Sequence, residues 1–424
     1  MKFSRSLVGL VVLVLVVSVV GPAGTQPANA QKPKAKAAGK QTAPEDVAGK
    51  PTDYRSKNFL IHTDLGSADA KELLSRLETM LRLISRYWNR PPSGIIEMYV
   101  VKDLKNWPTG AIPAVGLGSI EAGAGVTVTQ SISSATQFVA KSTVYAVADR
   151  GTPQHEAVHA YCGQTFGTTG PLWYSEGMAE MGQYWRDGEK SVQCHQHVID
   201  HLRNSKPQGM IEIVNNTGAT GDSWQNYAWR WALCHLLANN PNYSAQFHPL
   251  GLGFLTKKNI RFEQVYGPVA DQISFEYAFF IKHLENGYRV DLCSWNWKQK
   301  TLPLGKNAIT AKVKSAGGWQ ATPATVAKDS TYEYSSSGEW TTIKGGEAVT
   351  ADGGVGGIGK LTGIVMKDYQ LSEPFELGVS GSFVAPSDGQ LFLRCADSWG
   401  SLADNTGAIA VRLKRGAEVK AESK

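Results

Sequence analysis

The chain has 424 residues, more than one typical domain, and is 42% hydrophobic and 19% charged. That balance fits a soluble globular protein of two domains with a sizeable core. The formal net charge is +6, and +4 without Lys2 and Arg5 of the first 30 residues. So mild an excess, much of it in Lys32, Lys34, Lys36 and Lys40, is not a nucleic-acid footprint.

At the N-terminus, Lys2 and Arg5 precede an apolar run from Leu7 to Val20 and then Ala28-Asn29-Ala30. This is the pattern of a cleavable secretory signal, residues 1–30, cut before Gln31. It predicts export to the periplasm, the cell surface or the medium. No membrane association is expected after cleavage. An uncleaved anchor is the alternative, but the run is short for a span, which needs about 20 apolar residues. No cysteine follows the run to carry a lipid. Residues 31–50 are rich in Lys, Ala, Gln and Pro, without hydrophobic periodicity, and read as a disordered linker.

Order is predicted from about Tyr54, in a domain spanning 51–300. Asn58 to His62 reads as a strand, and Ala68 to Trp88 as a helix with apolar Leu73, Leu74, Leu77, Met80, Leu81 and Ile84. Ile95 to Val101 is a second strand. A Gly-rich stretch from Gly116 ends in the strand-like Gly125-Val126-Thr127-Val128-Thr129. Thr143 to Ala148 is strand or helix start, which periodicity does not settle.

His155-Glu156-Ala157-Val158-His159 follows. On a helix, residues four apart share a face, so both imidazoles can meet one metal ion, with Glu156 beside them. Thr152 is the expected N-cap and Pro153 the first helical residue. A catalytic zinc takes three protein ligands. Downstream comes Trp173-Tyr174-Ser175-Glu176-Gly177-Met178-Ala179-Glu180, with sixteen residues between His159 and Glu176. The gap allows a turn at 167–171 and a second helix returning Glu176 to the metal. Glu180, one turn on, is placed to orient a ligand histidine.

HExxH followed by W-x-S-E-G-x-A-E resembles the gluzincin metallopeptidases, and within them the peptidase-MA-like group of exported proteins. The resemblance implies zinc held by His155, His159 and Glu176, with Glu156 as general base. It implies an α+β domain, mainly helical around the site with a small N-terminal sheet, and an edge strand near the site at 125–129. An extended peptide could add to that edge through main-chain hydrogen bonds. A plain surface hairpin is the alternative there.

Beyond Trp185 a polar helix carries His195, His197 and His201. The last two are four apart but lack a partner Glu, so solvated histidines are expected. In Gln225 to Asn239, Tyr227, Trp231 and Cys234 fall on one helical face. The helix resembles one carrying an active-site tyrosine in the same family. Tyr227 is the candidate oxyanion donor, with a core aromatic as the other reading and Tyr161, Tyr174 and Tyr184 as rivals. Arg230 is expected on the helix surface. Phe262 to Glu285 closes the helical part. The five cysteines, Cys162, Cys194, Cys234, Cys293 and Cys395, lack zinc-site spacing and are expected mostly as buried apolar groups, although export permits disulfides.

Residues 301–328 read as a linker. From 329 to 416 short β-type segments alternate with glycines, predicting a C-terminal β-sandwich. The loop from Cys395 to Gly407 resembles the calcium loop of the PA-IL-like galactose-binding lectins. That implies Asp397, Asp404 and Asn405 as calcium ligands. An ion-free turn is the alternative. Residues 417–424 read as a disordered tail.

Together these features predict an exported zinc peptidase acting on a peptide or protein, with Ca²⁺ and a glycan as further partners through its C-terminal module. The rival class is a carbohydrate-binding surface protein whose peptidase-like domain is inert.

Overall fold

A computed structural model describes residues 11–16, 49–133, 138–216 and 223–416. Most of the predicted signal, residues 31–48 of the first linker and the 417–424 tail lie outside the described residues.

The first half runs β1 (Val11–Val16), β2 (Thr52–Arg55), β3 (Phe59–Thr63), α1 (Ser67–Tyr87), β4 (Ile96–Val101), α2 (Ala114–Glu121), β5 (Gly125–Ser133) and β6 (Phe138–Val147). Eight helices follow: α3 (Thr152–Phe166), α4 (Leu172–Tyr184), α5 (Gln196–Asn204), α6 (Met210–Asn215), α7 (Trp224–Asn239), α8 (Ser244–Leu255), α9 (Phe262–Tyr266) and α10 (Ala270–Lys282). Strands complete the chain: β7 (Leu302–Pro303), β8 (Ile309–Lys314), β9 (Gln320–Val326), β10 (Thr331–Thr341), β11 (Leu361–Lys367), β12 (Gln370–Leu371), β13 (Phe375–Glu376), β14 (Ser380–Val384), β15 (Gly389–Cys395) and β16 (Thr406–Arg415). Helices and open sheets therefore mix, and the second part is rich in sheet. Among the described residues no helix is long and apolar enough to cross a membrane.

The described residues form two compact units that alternate along the chain. One comprises Met1–Glu189, Ile211–His235 and Gln246–Val265; the other comprises Lys190–Met210, Leu236–Ala245 and Tyr266–Lys424.

The first unit is built on a mixed six-stranded sheet in the order β1-β5-β6-β4-β3-β2. β3, β4 and β6 run parallel, and β5 returns antiparallel to β6. Helix α1 buries the predicted stripe of Leu73, Leu74, Leu77, Met80, Leu81 and Ile84, as a 3.6-residue repeat requires. Of the 143–148 segment, residues 143–147 belong to strand β6. Helix α2 occupies the start of the Gly-rich stretch, with Pro113 at its N-cap. β1, inside the apolar run read as a signal, pairs antiparallel with β5 from Val11↔Ile132 to Val16↔Thr127.

In the second unit one sheet runs β14-β10-β16-β8 and the other β12-β11-β15-β9-β7, with β13 also on β11. Both contribute to one core: Val313, Tyr332, Trp340, Ile409 and Val411 from the first, Val326, Leu361, Val365, Leu391 and Leu393 from the second. The 301–328 stretch, expected as a linker, instead supplies β7, β8 and β9. Ile309 to Lys314 alternates buried Ala311 and Val313 with exposed Thr310, Lys312 and Lys314. Its apolar side chains are small and sparse, so composition hides a period-2 pattern.

A buried carboxylate organises the helical edge of this unit. Glu276 of α10 accepts hydrogen bonds from Tyr243 Oη at 2.7 Å, Asn242 Nδ2 at 3.1 Å, Trp297 Nε1 at 2.7 Å and Asn240 Nδ2 at 2.5 Å. Three separate stretches of chain meet on one side chain. Burial pushes its carboxyl above the ordinary range, and these donors pull it back. Glu276→Gln turns one acceptor into a donor facing donors. We expect it to destabilise the protein by about 1–3 kcal/mol, measured by urea denaturation. An unchanged midpoint would count against this hub.

Candidate metal centre

Helix α3 is buried on every side, from Thr152 through Gln164. Its start departs from expectation. Gly151 is the N-cap, and Thr152 lies inside the helix. The capping group is Asp149, whose Oδ1 accepts from Thr152 N at 2.6 Å and Gly151 N at 2.9 Å, and whose Oδ2 accepts from Thr152 Oγ1 at 2.7 Å. One carboxylate here satisfies two backbone donors at the helix start, and its charge complements the dipole. The helix ends at Gly167, with φ of +73°, a left-handed position that suits glycine. The chain then re-enters a helix at Leu172, as α4.

Three ligand atoms converge. His155 Nε2 and His159 Nε2 lie 3.2 Å apart. Glu176 Oε2 is 3.3 Å from the first and 3.4 Å from the second. Tetrahedral zinc with N/O ligands at about 2.0–2.2 Å requires ligand separations of roughly 3.3–3.6 Å. Among the described residues this is the one His/Cys/Asp/Glu group spaced to hold a metal ion. His197 and His201 form no such group.

The donor chemistry also fits. His155 Nδ1 lies 3.0 Å from Glu180 Oε1, so that side of the ring donates and Nε2 keeps its lone pair for a cation. Gln183 Nε2 donates to the other oxygen of Glu180. His159 Nδ1 is 3.4 Å from Ser175 Oγ. His155, His159, Glu156 and Glu176 are at most 1% exposed, and Glu180 is 6% exposed. With neutral imidazoles, three interior carboxylates gather here. A divalent cation is the counter-charge that such a set needs.

The titrations reflect this crowding. Burial lowers the affinity of His155 for a proton, but Glu176 and Glu180 outweigh it and hold the imidazole well above its ordinary pKa. Burial raises Glu176, yet His159 and His155 outweigh that and hold it below the usual carboxylate range. Glu156 is raised, chiefly by burial.

Two glycines let the elements close in. A Cβ on Gly125 of β5 would sit 2.6 Å from Glu156 Cγ. One on Gly177 would meet Cys234 Sγ and approach Arg230 O at 2.7 Å, so α4 rests directly on α7. Sequence reasoning missed Thr127. Its hydroxyl contacts Glu156 Oε2 at 2.7 Å and the Glu156 carbonyl at 2.9 Å. Glu156 Oε1 is buried with no hydrogen-bond partner among the described residues. The signal for Thr127 lay in the β-strand preceding the motif, but no spacing rule links it to Glu156.

Tyr227 is 1% exposed, its ring 5.6 Å from that of His155. Two rivals are engaged elsewhere: Tyr161 Oη donates to Arg90 O, and Tyr174 Oη accepts from Trp88 Nε1. Tyr184 packs on Trp231. Arg230, expected at the surface, is 1% exposed, because α7 is buried all round from Tyr227 to Leu237. The five cysteines are buried, and no disulfide joins them among the described residues.

In the second unit, the chain brings Asp397 and Asn405 together: Asn405 Nδ2 donates to Asp397 Oδ2 at 2.9 Å. Asn405 Oδ1 is buried with no partner among the described residues. Asp404 is exposed and accepts from Lys344 N at 3.3 Å.

No family of known proteins matches the sequence, and neither does any curated protein. Among solved structures, the N-terminal domain of EclA, described as a PllA-like lectin, is similar to part of the chain. All of that domain aligns with 26% of this chain at 20% identity and a TM-score of 0.23. That likeness is too slight to fix either a fold or a ligand.

Purified protein should bind one zinc per chain at this centre, and His159→Ala or Glu176→Ala should abolish it. Glu180→Gln should retain the metal with affinity weakened about 10–100-fold. Competition with a chromogenic chelator measures both. Loading should fall as pH drops from well above 6.5, because His155 must lose its proton to bind.

Proposed function

We propose that the chain is an exported zinc-dependent peptidase of the gluzincin type. The observation that carries this reading is the triangle of His155 Nε2, His159 Nε2 and Glu176 Oε2 with the Glu156 carboxylate beside it, all within the interior of one unit. A zinc ion held there would polarise a carbonyl and acidify water. Glu156 is the base. Oε2 is anchored by Thr127, which leaves Oε1 to take a proton from the attacking water and pass it to the leaving amine. Its raised pKa brings it nearer the working pH of a proton shuttle. Glu180 fixes the His155 tautomer. Tyr227, beside His155, is the candidate donor to the oxyanion. No side-chain nucleophile is required.

The substrate is a peptide or protein in extended form. β5 carries Thr127 and runs along the site. Loss of the segment holding β1 through signal cleavage would leave β5 as a sheet edge able to pair with another strand. The N-terminal charge, apolar run and A-x-A pattern support export as part of this reading.

Glu156→Gln should keep the zinc and lose hydrolysis by about 10²–10⁴-fold, assayed on a peptide library. Full turnover by this variant would sink the base assignment. Thr127→Val removes a bond that lowers the Glu156 pKa. The acid limb of its kcat/KM profile should therefore move to higher pH, since the base stays protonated longer.

A second role is favoured by one observation, the buried Asn405 Oδ1 without a partner beside the Asp397 carboxylate. The 329–416 region would then hold calcium and present a glycan-binding surface that targets the enzyme, or, in the rival reading, constitutes its whole activity. Calcium should raise the thermal midpoint of the wild type but not of Asp397→Asn. Equal response of the two would remove the calcium assignment.

A further inference from the structure

The sheet-rich unit contains a cavity of about 510 Å³ that includes none of the proposed zinc ligands and takes only Trp399 from the loop read as a calcium site. Its size falls in the range of small-molecule sites. One wall is the Phe275 and Phe279 face of α10, and Trp319, Tyr369 and Trp399 contribute further aromatic surface.

Arg394 also lines this cavity. It is only 6% exposed. Its guanidinium carbon stands 3.7 Å from the centre of the Trp399 ring and 5.5 Å from that of Trp319. Nε donates to the Cys395 carbonyl at 3.0 Å, and Nη2 donates to the Asp397 carbonyl at 2.5 Å. Nη1 has no protein acceptor, and no carboxylate pairs with the group among the described residues. A buried cation held only by carbonyls and rings is costly. Burial accordingly lowers its pKa.

Asp397 attracts the guanidinium only through space, because its carboxylate oxygens accept from Ser398 N and Asn405 Nδ2 instead. Lys282 adds a second cation at the exposed margin, and Glu373 is the one acid lining the cavity, also exposed. His283 is driven down to about 4, first by burial and then by Lys282 and Arg394, so it is neutral at pH 7. The cavity combines flat apolar walls with a buried guanidinium whose Nη1 donors have no protein acceptor among the described residues, a group that a carboxylate can satisfy.

We propose that this cavity binds a small organic carboxylate with a flat apolar face, the carboxylate on Arg394 and the face against Tyr369. Uronic acids and aryl carboxylates share this chemistry, since a sugar ring and an arene both offer such a face.

The test is calorimetric titration of the full-length protein after removal of metals with EDTA, so that no carboxylate binds at the zinc centre. Glucuronate and galacturonate form one arm, benzoate and phenylacetate the other, with glucose and benzyl alcohol as uncharged counterparts. One or both carboxylate arms should bind at millimolar concentration or below, and the counterparts about tenfold or more weaker. Whichever arm binds identifies the source. Arg394→Lys should weaken binding about tenfold or more, because an ammonium cannot keep the two carbonyl bonds and also present the Nη1 donors. If that variant fails to fold, Tyr369→Ala, which removes a half-exposed ring, decides. Absence of carboxylate binding, equal binding of the uncharged counterparts, or unchanged affinity in the folded variants would overturn the assignment.

Discussion

Burial of ionisable groups governs the first unit. Two imidazoles and three carboxylates lie in its interior, where an unpaired charge is untenable. They survive by pairing with one another, His155 with Glu176 and Glu180, His159 with Glu176. The packing serves that arrangement. Asp149 starts α3, Gly167 stops it, Gly125 admits the Glu156 side chain, and Gly177 lets α4 lie on α7. Each device is small, but together they hold three ligand atoms within tenths of an ångström of metal-binding separations.

The sheet contributes through Thr127, which binds both the carbonyl and the carboxylate of Glu156. One residue thus couples the strand expected to guide a substrate to the proposed base. The second unit repeats the theme with other chemistry. Glu276 is a buried anion surrounded by neutral donors, and Arg394 is a buried cation surrounded by carbonyls and rings. The anion has a full shell, whereas the cation retains unused donor capacity facing a cavity.

Much of the architecture was legible because periodicity survives in the sequence. The α1 stripe and the β3, β4 and C-terminal strands show it. Readings failed where tertiary context overrides composition. Strands β8 and β9 were hidden by Lys, Thr and Ala, and Arg230 by a helix buried on all sides. Asp149 took the capping role expected of Thr152, because a carboxylate three residues upstream can reach several first-turn donors at once.

The sequence by itself determined the identity and spacing of the candidate ligands. A helix places residues four apart on one face whatever surrounds them, so His155 and His159 share a face by local geometry alone. Whether Glu176 would meet them, which strand would brace Glu156, and that Arg394 would be enclosed among aromatic rings were decided only by the tertiary structure. Those contacts join residues far apart in the chain, and their energy depends on shape, burial and the company of other charges, none of which a local pattern encodes.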